Sequence, residues 1–227
     1  MFNAVYSHKT VFGFEELARR VIKLLIRENE IYSSKAEIEG LVVDESSAFL
    51  EFDDGYLDKL IRKHAYRSEG GNGLLKLFCR AIMDRKPPKL IYEVKDLRPD
   101  GGHLCKGYVL FEKYLERYLM DLARECGIDP DHLFWREPKD VNFEAAHPFV
   151  SLSRIKDGID PRELRELVRI VDRNGNITNL VEEPTSVIYH LSRLTAKSIR
   201  LYGVGVPQEK RMKLTKIIEE HVRGGTD

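Results

Sequence analysis

The chain has 227 residues, 42% hydrophobic and 33% charged, which is enough apolar content for one sizeable core or two small ones. Lys plus Arg and Asp plus Glu number 37 each, so no global field draws in nucleic acid or an acidic membrane surface, and any anion site has to be local. Three widely spaced cysteines, Cys79, Cys105 and Cys126, argue against a disulfide framework; no apolar run nears the ~20 residues of a membrane span, and the expected location is cytoplasmic.

In chain order, Phe12, Phe14, Leu17, Val21, Leu24 and Leu25 form one stripe of a helix over residues 5–28, with Glu15, Arg19, Arg20 and Lys23 on the opposite side. Its first turns carry Tyr6, Ser7, His8 and Lys9: a ring, a hydroxyl, an imidazole and an ammonium suited to a nucleotide, although spacing alone favours a solvated helix start. Ser33, Ser34 and Lys35 break that helix, and 36–43 is a short helix or an irregular segment. Asp53 or Asp54 caps a helix running to His64, a role preferred here to metal ligation. The Gly-rich stretch 68–73 is a flexible turn. A helix over 74–84 is stopped by Pro87-Pro88, and Ile91, Tyr92 and Val94 give 89–94 strand character.

The main boundary falls here, between a helical segment (1–86) and a C-terminal domain (87–227). Residues 99–102 form a loop, and a long amphipathic helix over 108–126 ends at Gly127. His103 and Cys105 are too few to hold a metal between them. Strands are predicted at 133–135 and 149–155. Asn174-Gly175 joins two further runs, 167–172 and 176–181, as a hairpin; a calcium-loop reading fails because Ile177 stands where a glycine is required. A helix over 184–195, a strand over 199–202 and a closing helix over 207–223 complete the chain, with Pro207 at a helix start. Ser186 and His190 lie four apart on one helix face, but nothing supplies an orienting acid or an oxyanion hole, so they read as a surface pair. The fold class is α+β: a helical N-terminal part followed by a small, mostly antiparallel sheet with packed helices.

Four segments, in this order, carry a family resemblance. They are Val5-Tyr6-Ser7-His8-Lys9-Thr10 with Glu15 or Glu16 and an apolar helix behind it, Leu50-Glu51-Phe52-Asp53-Asp54-Gly55, Asp84-Arg85-Lys86-Pro87-Pro88-Lys89-Leu90, and LVRIVDRNGNITNLVEEPTSVIYHL over 167–191. The set resembles the C-terminal part of HD-domain phosphohydrolases of the deoxynucleoside triphosphate triphosphohydrolase type, over most of the chain. That family holds its divalent metal with a His, a His-Asp pair and a further Asp, and no His-Asp dipeptide occurs among the seven histidines here.

The resemblance therefore implies a piece without the metal-binding HD core. No catalytic residue and no cofactor are expected in this chain, and the divalent metal belongs to the absent core. It implies nucleotide contacts at Tyr6 and Ser7 (sugar or base), at His8 and Lys9 (phosphate oxygens), and at Arg85 and Lys89 in the basic loop. The expected partners are a nucleoside triphosphate, further copies of the chain and an HD-domain subunit, with no membrane. The stripe Phe12, Leu17, Val21 and Leu24 is expected to lie open where the HD half would pack, inviting self-association. The alternatives are a subunit of a split phosphohydrolase, active only with its HD partner, and an adaptor without nucleotide binding.

Overall fold

A computed structural model describes residues 8–32, 34–43, 53, 55–66, 72–99, 102–137, 141–142, 169–171, 173–180, 183–191 and 194–224. Tyr6, Ser7, Asp54 and the strand expected over 149–155 lie outside them.

Four helices come first: α1 (Lys9–Arg27), α2 (Lys35–Val43), α3 (Tyr56–Tyr66) and α4 (Gly73–Met83). Local chemistry sets their ends. The His8 ring caps α1, its Nδ1 accepting from the Thr10 N–H at 3.3 Å. Ser34 and Glu37 form a reciprocal capping box that fixes α2, with bonds of 3.2 and 2.8 Å. Asp53 serves α3 through its carbonyl, which accepts from the Tyr56 N–H, and through an ion pair with Lys59 at 3.7 Å. Asn72, in the stretch read as a flexible turn, caps α4 by accepting from the N–H groups of Leu74 and Leu75.

Next come β1 (Lys89–Pro99), α5 (Lys106–Glu125), a 3₁₀ turn (Pro130–His132), β2 (Leu133–Arg136), β3 (Val141–Asn142), β4 (Arg169–Val171) and β5 (Ile177–Asn179). The chain closes with α6 (Val187–Leu191), β6 (Leu194–Gly203) and α7 (Gln208–Gly224). The expected hairpin is present: β4 pairs antiparallel with β5, and Gly175 turns between them at φ 85°. Among the described residues, the helix expected over 184–195 is the five residues of α6; Leu194 already pairs with Pro99, so strand partnership overrides the local pattern there.

The fold class is α+β, as expected. β6 is the central strand, flanked antiparallel by β1 on one side and by β2 and β3 on the other. Side chains alternate across a strand, and where β6 is covered on both faces successive residues are buried, from Ile199 to Gly203. Ile199 and Leu201 point into a core with α5 and α7, made of Tyr108, Phe111, Leu115, Leu214 and Ile218. Tyr202 and Phe134 face the other way, into a core with Leu17, Val21 and Leu25 of α1, Ile61 and Ala65 of α3, and Leu75 and Phe78 of α4.

This second core corrects the expectation of an open stripe. Leu17 and Val21 are fully buried, and Phe12 and Leu24 pack partly buried against the same cluster. The chain covers the stripe with its own helices. No helix among the described residues is long and apolar enough to cross a membrane.

Candidate functional site

The segment joining α4 to β1 brings Asp84, Arg85 and Lys86 together. Three helices end in the same hydrogen-bond pattern, in which two N–H groups just past the end bond back to carbonyls of the last turn and one residue turns left-handed. At α1 that residue is Asn29 (φ 54°) and after α5 it is Gly127 (φ 62°), two residue types that tolerate the conformation. After α4 it is Arg85 (φ 52°), with its own N–H bonded to the Ile82 carbonyl at 3.1 Å and that of Lys86 to Ala81 at 2.8 Å. A β-carbon in this region costs on the order of 1 kcal/mol.

Pro87 and Pro88 then lead into Lys89, which pairs with Gly203 at the far end of β6. The chain leaves β6 through Val204-Gly205-Val206, turning at Gly205 (φ 67°), and Pro207 precedes α7. Arg211 sits in the opening turns of α7, its N–H bonded to the Pro207 carbonyl. The two loops thus meet at one end of the sheet.

Between them lies a cavity of about 680 Å³, a size suited to a small-molecule ligand. Leu77, Ala81, Val204 and Val206 give it an aliphatic wall, while Arg80, Arg85, Lys86, Lys89 and Arg211 supply positive charge. A smaller depression of about 240 Å³ continues from it across Pro87, Lys89 and Arg211 to Lys9 and Thr10 at the start of α1. Among the described lining residues Asp84 is the only carboxylate, and it holds Lys86 at 3.0 Å. The Nε of Arg211 is buried without a hydrogen-bond partner among the described residues. The concentration of cations around the cavity suits a negatively charged ligand.

Of the residues singled out from sequence, Arg85 and Lys89 line the cavity, and Lys9 and Lys89 line the depression. His8 lies beside it but spends Nδ1 on capping α1. Tyr6 and Ser7 fall outside the described residues. Arg80, Lys86 and Arg211 are additions. Arg211 left no trace in the sequence, because the first turn of α7 carries the usual acid, Glu209.

Lys9 is anchored from below. The Tyr202 hydroxyl donates to the Lys9 carbonyl at 3.0 Å, and its ring packs between Phe12 and Phe134. Burial pushes this phenol up to about 12, with Arg200 pulling the other way, so it stays a donor at neutral pH. Arg200, itself buried, bonds Glu93 at 2.7 Å across the β1–β6 pair and lies over the Phe12 ring.

The metal of the HD chemistry finds no fit in these residues. No group of three or more His, Cys, Asp or Glu among the described residues is placed to hold an ion, and no step is derived through one. Ser186 lies just ahead of α6 and His190 within it, where the imidazole packs edge-on against Tyr189.

No protein-family model matches the chain, and no curated protein matches it. Among solved structures it is similar to a phosphohydrolase from Bacteroides thetaiotaomicron, at 17% identity and a TM-score of 0.42. The match covers 88% of this chain and 46% of the neighbour, so the chain spans less than half of that protein's length.

Proposed function

We propose that this chain is the nucleotide-contacting, non-catalytic C-terminal part of an HD-type (deoxy)nucleoside triphosphate phosphohydrolase, and that it contributes to that enzyme's oligomeric assembly. One observation supports the reading: Arg85 and Lys89 line a cavity at the end of the sheet, and Lys9 lines a depression that shares Lys89 with it, the three residues that the resemblance marks as phosphate contacts. In a chain whose charges balance overall, these exposed cations form a local positive patch that would attract an anion. Lys9 would meet phosphate oxygens from one side and Arg85 and Lys89 from the other, through charge-assisted bonds of the stronger class. Hydrolysis itself would belong to an HD subunit carrying the metal.

The test is a thermal-shift titration of the purified chain with deoxynucleoside and ribonucleoside triphosphates in magnesium buffer. A ligand that binds only the folded state, at a hundred times its Kd, adds about 2.7 kcal/mol of stability. A rise in melting temperature that shrinks in Lys9→Ala and Lys89→Ala is the expected result; no rise with any nucleotide overturns the proposal. Sedimentation of the same sample tests assembly, and a monodisperse monomer at every concentration removes that part.

A further inference from the structure

β1 is the long edge of the sheet. Among the described residues it pairs with β6 alone, whereas the opposite edge is shared by β2 and β3, four and two residues long. A row of outward N–H and C=O groups is a template for another strand, and natural sheets blunt such edges with short strands, prolines, lysines and bulges. β1 has a bulge between Leu90 and Tyr92 and carries Pro99 at its end. Between them the stretch 93–98 is regular and free of glycine and proline, and it matches β6 residue for residue from Arg200 to Thr195.

The charges of this stretch select one way for it to pair with itself. Two antiparallel copies related by a two-fold axis must centre on one residue, because residues directly opposite share a face and faces alternate along the strand. Centring on Glu93, Lys95, Asp96 or Arg98 sets a charge against its own copy, which destabilises. Centring on Leu97 draws Pro99, which lacks an N–H, into the ladder. Centring on Val94 sets Glu93 opposite the partner's Lys95, twice by symmetry, with Val94 against Val94.

Lys95 is ready for that exchange. Its Nζ is 71% exposed as part of the side chain and lies 3.4 Å from Glu93 Oε2, while Glu93 Oε1 accepts from Arg200. To reach Glu93 of its own chain it leans back along about 6.6 Å of strand. A directly opposite residue has its β-carbon only about 5 Å away. A second copy therefore offers the lysine a nearer carboxylate and leaves the Arg200 bond in place.

We propose that the outer edge of β1 is where two copies of this chain join, antiparallel about Val94, so that their sheets run on as one. The inference rests on the assembly part of the reading above and supplies its surface, independently of the nucleotide contacts. Such a short ladder belongs to the weak class of interfaces below about 1,200 Å², so the dimer is expected to form above about 10 μM.

The experiment is oxidative cross-linking of the full chain on either side of that concentration, with the exposed Cys105 replaced by serine in every sample. In Val94→Cys the two thiols face each other at the roughly 4.5–5.5 Å Cα separation of an opposite pair, within the span of a disulfide. In Leu97→Cys, whose native side chain is 64% exposed, they stand about 20 Å apart in this register and cannot join. Val94→Cys is expected to yield at least about fivefold more cross-linked dimer than Leu97→Cys. Lys95→Glu, at an exposed position, sets acid against acid and is expected to raise the dimer dissociation constant about tenfold in sedimentation. Equal cross-linking of the two cysteine variants, or a dimer indifferent to Lys95→Glu, overturns the β1 pairing and leaves assembly by another surface standing. A monomer at every concentration removes both.

Discussion

The hydroxyl of Tyr202 and the carbonyl of Lys9 are joined at 3.0 Å across 193 residues of sequence. This bond ties the first turn of α1 to the central strand, so a residue at the rim of the cationic basin is held by one from the core. Removing it in Tyr202→Phe is expected to cost about 1 kcal/mol of stability and to weaken any nucleotide response less than Lys9→Ala does, because only the anchor is lost. Urea denaturation gives the first quantity and thermal shift the second. A Tyr202→Phe variant that abolishes the response while Lys9→Ala leaves it intact would reverse the roles given to the two residues.

The same phenol sets a pH dependence. Its ordinary value is 10, and burial raises it to about 12 in the folded chain; the buried thiol of Cys79 rises from 9 to about 12 for the same reason. Both groups are harder to ionise folded than unfolded, so their stabilising contribution is complete below the unfolded values and is lost as pH climbs through about 12. The melting temperature is expected to fall between pH 9 and 12, with the fall above pH 10 shallower in Tyr202→Phe. Superimposable profiles for the two proteins would show that Tyr202 does not ionise on unfolding in this window.

Glu16 is the buried charge most dependent on its neighbours. Its carboxylate accepts from Arg136 Nε at 3.1 Å and lies 3.5 Å from Arg20 Nε, whose guanidinium rests over the Phe134 ring at 4.8 Å. Burial lowers the Arg20 pKa while Glu16 opposes the shift, as expected of a cation drawn partly out of water. Glu16→Gln would leave two arginines facing each other with only the Asp131 charge acting on Arg20 to offset them. Losing one side of a fully buried pair costs roughly 3–5 kcal/mol, and the partial exposure of both arginines reduces the expected loss to about 2 kcal/mol. Arg136→Ala, on the more exposed partner, is expected to cost less. Chemical denaturation that ranks them the other way would place the stabilisation in Arg136 packing and not in the carboxylate.

What was legible in the sequence follows from how local each signal is. The α1 stripe repeats at the helical period over several turns, and Asn174-Gly175 encodes its hairpin in two residues, so both were found. The sequence displays a stripe but not what covers it, and the covering helices α3 and α4 lie beyond a long stretch of chain. Asn72 was hidden as a cap among glycines. Leu194 to Lys197 carry no strand punctuation, and only pairing with β1 makes them extended. The basin divides in the same way: Arg85 and Lys89 sit in one short basic loop, whereas Arg211 joins them only because Val204-Gly205-Val206 carries α7 back across the end of the sheet.

Gly203 is required by close approach, not by an unusual φ. A β-carbon there would lie 2.9 Å from Val206 Cγ2 and 3.0 Å from Ile91 Cδ1, inside normal contact on both sides. Gly203→Ala is expected to destabilise by roughly 1–3 kcal/mol, as overpacking does in a filled core. Val206→Ala opens space on the same spot, so the double variant should lose less than the sum of the two single losses. Strictly additive losses in denaturant titrations would mean that Val206 is not what the new methyl meets.

Asp84 is the one residue whose removal should improve the basin. It is the single carboxylate among the described lining residues, it occupies the C-terminal end of α4 where the helix dipole is already negative, and its side chain holds Lys86 at 3.0 Å. Asp84→Asn would delete a charge that repels phosphate and release Lys86 to face the cavity. It would also remove an unfavourable dipole contact worth about 0.3–1 kcal/mol. The variant is therefore expected to be slightly more stable and to bind tripolyphosphate several-fold more tightly at low ionic strength, with the gain fading as added salt shortens the screening length to about 8 Å at 0.15 M. Calorimetric titration at two salt concentrations checks both halves. A weaker-binding Asp84→Asn would mean that Asp84 positions Lys86 for the ligand and does not compete with it.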